Sequence, residues 1–264
     1  MNFVVGKERS GTTLLQIMLN AHPNIVAPPE SRFIVLLYPL YGHVRKWTER
    51  NIRDFCRDIF KEPLFRNRWR LSKEEVEATL MPLRERLTYP LLCKIVFYLF
   101  APEGKEVKLF FDKNPVYYYF LPELEKLFPE AKFMHIVRDY RDNMASHKRV
   151  FKLQDAGDLA YKWVKVNSLI EARKKELASR YLTIKYESLA SKPEESMKVA
   201  CSFLGLPYSE SMSNQTKNVY PSFNEMNKPR FLELHGSLLQ PINTSHVGEW
   251  KEKLKPEEVA VAEA

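Results

Sequence analysis

The chain is short of glycine and cysteine, and no apolar run in it stays uncharged long enough to span a membrane. Eight glycines against seventeen prolines leave room for loops but not for flexible linkers. There is no Gly/Ser-rich spacer, no repeat and no low-complexity tract, so residues 1–264 read as a single domain. The three cysteines, Cys56, Cys93 and Cys201, stand far apart with no CxxC or Cys/His ligand spacing. That argues against a disulfide framework and a structural zinc, and fits a reducing compartment. The first residues, MNFVVGKERSG, break their apolar run at a glycine, which is neither a signal peptide nor a membrane span. The expectation is a soluble, cytoplasmic protein.

Apolar residues at 45% and charged residues at 28% give an ordinary globular balance and exclude disorder. The net charge of +8, scattered over the whole length, favours an anionic partner: a nucleotide, a nucleic acid, an anionic membrane or a sulfated product. A merely soluble basic surface explains the charge equally well, so composition does not choose.

Local patterns choose more sharply. Asn2 to Val5 is a short apolar run of the buried-strand kind, Gly6 to Thr13 (GKERSGTT) is a turn, and Leu14, Leu15, Met18 and Leu19 recur at helical spacing. His22-Pro23 closes that helix. Strand, glycine-bounded turn and helix make an anion cradle, because a helix N-terminus presents unpaired N–H groups and a partial positive charge. Gly6 and Gly11 have the separation of the phosphate-binding pattern GxxxxGK(S/T), but Thr12 replaces the lysine and Thr13 fills the hydroxyl slot. The positive charge is expected from Lys7 and Arg9 inside the loop.

A second strand, Lys132 to Val137, follows a short helix over Phe120 to Phe128 and leads into the helical RDYRDNMASHKRV. Arg138 ends this strand, and Ser146 lies about two turns into the helix, so both can face one point. A guanidinium fork and a hydroxyl suit phosphate oxygens. The plain alternative is that Arg138-Asp139 and Arg141-Asp142 are surface ion pairs. A further strand, Leu182 to Ile184, precedes Tyr186 and a helix from near Pro193 to Gly205.

The string RSGTTLL between strand and helix resembles the 5′-phosphosulfate loop of the sulfotransferases that use 3′-phosphoadenosine 5′-phosphosulfate (PAPS). The resemblance implies that Arg9, Ser10, Gly11, Thr12, Thr13 and Leu14 wrap the 5′ phosphosulfate, with Arg9 facing the transferring group. It implies that Arg138 and Ser146 read the 3′-phosphate and that Tyr186 contacts the adenine. It further implies an α/β fold of the P-loop NTPase-like, three-layer sulfotransferase kind, a central parallel sheet flanked by helices, as the alternation of strands and helices also requires. The partners would be PAPS, leaving as adenosine 3′,5′-bisphosphate, and a hydroxyl or amine acceptor, with no nucleic acid. No metal is expected, since no ligand cluster is visible and a sulfuryl group carries less charge than a phosphoryl group.

Sulfuryl transfer needs positioning, a base for the acceptor and cations for the leaving phosphate. Glu30 is the favoured base. It falls at the exit of a second short strand, Ile25 to Ala27, on the edge where open α/β sheets bind ligands. The stretch from Gly6 to Arg32 resembles the tyrosylprotein sulfotransferase branch, whose base is a glutamate in an E-(T/S)-R context, although Pro28-Pro29 replaces that branch's Gly-Glu. The bland reading pairs Glu30 with Arg32 or makes it a helix cap, and His22 is the rival base. Lys113, after an apolar strand over Val107 to Phe111, is the favoured cation by the same resemblance.

The likeness thins after about residue 205. Pro241-Ile242-Asn243 and Trp250 resemble the family's C-terminal contact to the 3′-phosphate, but Glu249 stands where a basic residue is expected; Ser237, His246 and Lys251 are substitutes left open. Residues 38–104 hold a capping box at Ser72 and Glu75 before a helix with Val76, Leu80 and Leu83 turned inward, and the resemblance implies that this region is a helical cover for the acceptor site. Core packing explains the aromatics from Tyr89 to Phe100 equally well. Two other functions remain open: a P-loop kinase of a small metabolite, with Asp112 as its metal-holding aspartate, and a non-catalytic nucleotide or polyanion binder. The acceptor's identity and the oligomeric state are not legible.

Overall fold

The computed structural model describes residues 1–151, 155–214 and 236–263. Five strands form one sheet: β1 (Asn2–Val5), β2 (Ile25–Val26), β3 (Leu109–Lys113), β4 (Phe133–Val137) and β5 (Tyr181–Lys185). Their order is β2-β3-β1-β4-β5 and every pairing is parallel. Parallel strands need crossovers that cover both faces, so the strands are apolar on both sides. Along β1, Phe3 and Val5 enter one core and Val4 the other. Along β4, Phe133 joins the first core and Met134 and Ile136 the second. The result is the expected three-layer α/β architecture.

One layer holds α1 (Thr12–Asn20), α10 (Tyr186–Ser191) and α11 (Pro193–Leu204). The opposite core takes in α2 (Phe33–Tyr41), α3 (Glu49–Ile59), α4 (Pro63–Arg68), α5 (Lys73–Leu80), α6 (Tyr89–Leu99), α7 (Leu121–Leu127) and α9 (Ala156–Glu176). Rings tie this core together. Phe3 stacks on Phe133 at 5.3 Å and Phe133 on Tyr181 at 4.7 Å, each pair adding about 0.5–1.5 kcal/mol beyond its area. A smaller third cluster joins α8 (Tyr140–Phe151) and α9 to the terminal helices α12 (Trp250–Lys253) and α13 (Pro256–Glu263).

Residues 38–104 are helical, and their aromatics are mostly core: Trp69 meets Phe97 edge-on at 5.0 Å, and Tyr89 is buried. The capping box forms, Ser72 accepting from Glu75 N and Glu75 from Ser72 N. Leu83 is a correction. Val76 and Leu80 are buried, but Leu83 is exposed, because the chain tightens into a 3-10 turn at Met81–Arg86, with Pro82 in its first turn, and loses the helical phase. β3 is a second correction. Its pairing with β1 runs through Phe3↔Asp112 and Val4↔Lys113, so both residues lie inside the sheet rather than in the turn beyond it.

The first turn has little freedom. Gly11 adopts φ 92° and Gly6 φ 153°, and Arg9, which is not glycine, sits at φ 68°. A Cβ on Gly11 would lie 2.5 Å from Cδ2 of Tyr186, and one on Gly6 2.5 Å from the carbonyl oxygen of Ile136. The loop is therefore pressed onto β4 and α10. Gly11→Ala should cost about 1–3 kcal/mol through strain and overpacking, read as a lower denaturant midpoint with an unchanged slope.

Candidate functional site

The carboxyl ends of β1, β3 and β4 open into one cleft of about 390 Å³. Its lining includes Arg9, Gly11, Thr12, Thr13 and Leu14 from the first turn and helix, Glu30, Lys113, Arg138, Ser146 and Tyr186. Ten of the eleven residues expected at the site thus share one cavity. Ser10 is the exception. It is buried under the turn, where its hydroxyl accepts from Asn143 Nδ2 at 3.0 Å, and it does not line the cleft.

The two phosphate elements meet directly. Arg138 Nη1 donates to the carbonyl oxygen of Arg9 at 3.1 Å, and Arg9 Nε donates to Ser146 Oγ at 3.2 Å. Arg138 is buried rather than paired on the surface with Asp139. Its guanidinium lies 4.5 Å from the Tyr186 ring, which carries it as a cation–π platform. Its Nε is buried without a hydrogen-bond partner among the described residues, a donor left for a ligand. Arg141 pairs instead with Asp139 at 2.7 Å, and Asp142 receives Gly248 N and Trp250 N at 2.7 and 3.0 Å.

Lys7 corrects the expected source of loop charge. It is buried, paired with Glu8, and 3.3 Å from His147 Nε2. Its ammonium braces the loop from beneath, so Arg9 alone carries the loop's own cation to the cleft.

On the other side of the cradle, Lys113 Nζ donates to Glu30 Oε2 at 2.7 Å and to Thr13 Oγ1 at 3.3 Å. Glu30 Oε1 accepts from Arg68 Nη1 at 3.0 Å. The partners of Glu30 are therefore Lys113 and Arg68, not Arg32. Burial pushes its carboxyl up, but the two cations outweigh that and hold it down to about 2. Arg68 comes from α4, and the neighbouring Trp69 Nε1 donates to Pro29 O at 2.9 Å. Glu62, the N-cap of α4, also accepts from Ser31 Oγ at 3.0 Å. These bonds clamp the Glu30 segment from both sides.

The rival readings lose their residues to the core. His22 is buried, with Nδ1 accepting from Asn24 N at 3.0 Å and Nε2 bonded to Pro207 O at 2.9 Å, and it does not line the cleft. Asp112 points the other way from Lys113, as alternate strand residues must. It bonds the Tyr117 hydroxyl, and burial pushes its carboxyl up to about 7. It does not face the cleft, so among the described residues the kinase reading has no aspartate lining the cleft to hold a metal. Among the described residues no group of three or more His, Cys, Asp or Glu could hold a metal ion.

Of the C-terminal substitutes, Ser237 and His246 line the cleft and Lys251 is exposed outside it. Arg149 was missed. It lines the cleft, pairs with Glu249 at 2.9 Å and donates to Ser146 Oγ at 3.4 Å. The readable signal was spacing: Asn143, Ser146 and Arg149 recur every third residue on α8 and so share a face. Nothing local pointed to Arg68.

Fold and cleft define a class, a P-loop-like α/β protein whose first helix opens its N-terminus onto a cleft lined by cationic side chains. The sequence profile described as "Sulfotransferase family" matches residues 3–210. The chain belongs to the sulfotransferase family. It is 24% identical over 258 residues to protein-tyrosine sulfotransferase 1 of Danio rerio, covering 96% of this chain and 66% of that protein. Across the vertebrate and insect proteins of that name it spans 46–66% of their length. Two solved structures share the fold. The sulfotransferase domain from the Synechococcus PCC 7002 olefin synthase superposes with TM-score 0.66 at 23% identity, covering 100% of this chain and 93% of that one. Mouse sulfotransferase SULT7A1 complexed with PAP gives 0.52 at 15%, covering 98% and 80%.

The low pKa of Glu30 has a stability consequence. A carboxyl depressed below its ordinary 4.5 stabilises the fold above that value and loses the contribution as pH falls toward about 2. Glu30→Gln should therefore be less stable than the parent at neutral pH, with the gap closing over that acid window in urea titrations.

Proposed function

We propose that the chain is a PAPS-dependent sulfotransferase that moves the sulfuryl group to a hydroxyl or amine acceptor. The observation carrying this is the union of two anion elements in one cleft, with Arg138 bonded to the loop that holds Arg9. The cleft's volume lies in the range of ligand sites. The residues present fit the donor. The glycine cradle leaves no room for a Cβ, a buried guanidinium N–H stands without a partner, and cations line both ends. The mouse relative complexed with PAP supports the same nucleotide here.

In this reading Thr12, Thr13, Leu14, Gly11 and Arg9 hold the 5′ end at the positive head of α1. Arg138 and Ser146, joined by Arg149, hold the 3′-phosphate, with Tyr186 beneath the nucleoside end. The donor supplies an activated sulfuryl group. Glu30 takes the acceptor's proton at Oε2 as the acceptor oxygen gains that group, and Lys113 places a positive charge beside Thr13 where negative charge accumulates on the leaving phosphate. The Glu30–Lys113 bond links the two roles. Drawing Lys113 toward an anion at Thr13 strips Glu30 of one cation and makes it more basic, so the base strengthens when the cradle is filled.

Residues 1–264 act as one domain in this reading, and residues 38–104 border the acceptor side through Arg68 and Trp69. The three cysteines, buried and free, support a cytoplasmic site of action. Among the described residues no helix is long and apolar enough to cross a membrane. The relatives' name makes a protein tyrosine the first acceptor to try in a screen with labelled PAPS.

Glu30→Gln and Lys113→Ala should each lower turnover by about 10²–10⁴-fold while adenosine 3′,5′-bisphosphate still binds by calorimetry. Retained turnover in both would reject their roles. The bisphosphate should raise the melting temperature without magnesium and more than Mg-ATP does. Arg138→Ala should weaken the bisphosphate far more than adenosine 5′-phosphate; equal loss for both would reject the 3′-phosphate assignment.

A further inference from the structure

The pocket around Arg138 and Arg149 already holds an anion, and it belongs to the chain. Glu249 has only 8% of its side chain exposed. Its Oε1 accepts from Arg138 Nη2 at 3.2 Å, and its Oε2 accepts from Arg149 Nη1 at 2.9 Å. His246 Nδ1 lies 3.0 Å from the same Oε2. Burial opposes its charge, but His246 and the two arginines outweigh that and hold the carboxyl down to about 2, so the anion persists at neutral pH. A carboxylate presents a guanidinium with the same forked pair of oxygens as one edge of a phosphate.

The backbone on either side of Glu249 is anchored by bonds that do not involve its carboxylate. Gly248 N and Trp250 N, on either side of Glu249, are both bonded to the buried Asp142 on α8. Arg138 keeps two further anchors, the carbonyls of Arg9 and His246 at 3.1 and 2.6 Å. A change of rotamer at Glu249 would free one face of each arginine while the chain stays tied down on both sides. With Glu249 in place, two arginine charges are partly neutralised, and a phosphate entering beside it meets a like charge at short range.

We propose that Glu249 is a resident competitor of the donor's 3′-phosphate. It occupies Arg138 and Arg149 in the free protein, yields when a 3′-phosphorylated nucleotide binds, and returns as the bisphosphate product departs. Glu249 thereby sets how strongly the 3′-phosphate counts toward binding and how readily the spent nucleotide is released. This rests on the assignment of Arg138 and Arg149 to the 3′-phosphate made above.

The test is calorimetric titration of adenosine 3′,5′-bisphosphate and of adenosine 5′-phosphate into the parent protein, Glu249→Gln, Glu249→Asp and Arg138→Ala. Glutamine keeps the shape and one acceptor oxygen, and aspartate keeps the charge but withdraws it by one methylene. Glu249→Gln is expected to tighten the bisphosphate about tenfold and leave adenosine 5′-phosphate within about twofold. Glu249→Asp should move the same ratio in the same direction by less, and it carries the test if the glutamine variant does not fold. An unchanged or reduced ratio in these variants, with Arg138→Ala still selectively weakening the bisphosphate, would overturn the competitor role alone and leave Glu249 a structural clamp. If Arg138→Ala leaves the ratio untouched, the 3′-phosphate assignment falls and the competitor role with it.

Discussion

The guanidinium of Arg138 is the fixed point of the site. A buried cation is tolerated only with several close partners, and Arg138 finds them in three separate parts of the chain. They are the carbonyl of Arg9 in the first turn, the carbonyl of His246 with the carboxylate of Glu249 near the C-terminal end, and the ring of Tyr186 at the head of α10. Tyr186 in turn presses on Gly11, where no Cβ would fit. The need to satisfy one charge thus fixes the distance between the two anion-binding elements and holds the C-terminal segment across the cleft.

The Glu30 side obeys the same economy with the opposite sign. Here a carboxylate is enclosed, and two cations from distant segments satisfy it: Lys113 from the central sheet and Arg68 from the helical layer. Lys113 belongs to both halves of the site through Thr13, whereas Arg68 stands outside the cleft lining. A charge shared between Thr13 and Glu30 gives the fold a physical route for one side of the cleft to sense the other.

Much of this was legible beforehand, for reasons particular to each element. The β1–turn–α1 unit is local: an apolar run, two glycines and a helical stripe specify it without the rest of the chain. The Arg138–Ser146 relation is also local, because a strand end and two helical turns set it. The misreadings share another cause. Lys113 was placed after its strand, since the end of β3 is decided by how far β1 runs beside it. Lys7 was expected to supply the loop's positive charge, but its ammonium is taken up by Glu8 and lies beside His147 from α8, a meeting that the loop's own residues do not encode. Arg149 left a weak trace in its three-residue spacing, and Arg68 left none.

The sequence by itself determined the sheet-and-helix alternation, the glycine cradle at the head of the first helix, and the residue types able to grip an anion. Each of these depends on backbone conformation and side-chain chemistry within a few turns of chain. Tertiary structure alone decided which charges face the cleft and which are neutralised beneath it, and that an acid at position 249 sits among the arginines. Those outcomes depend on which distant groups come within about 4 Å, where buried charges interact strongly, and no local pattern encodes that meeting.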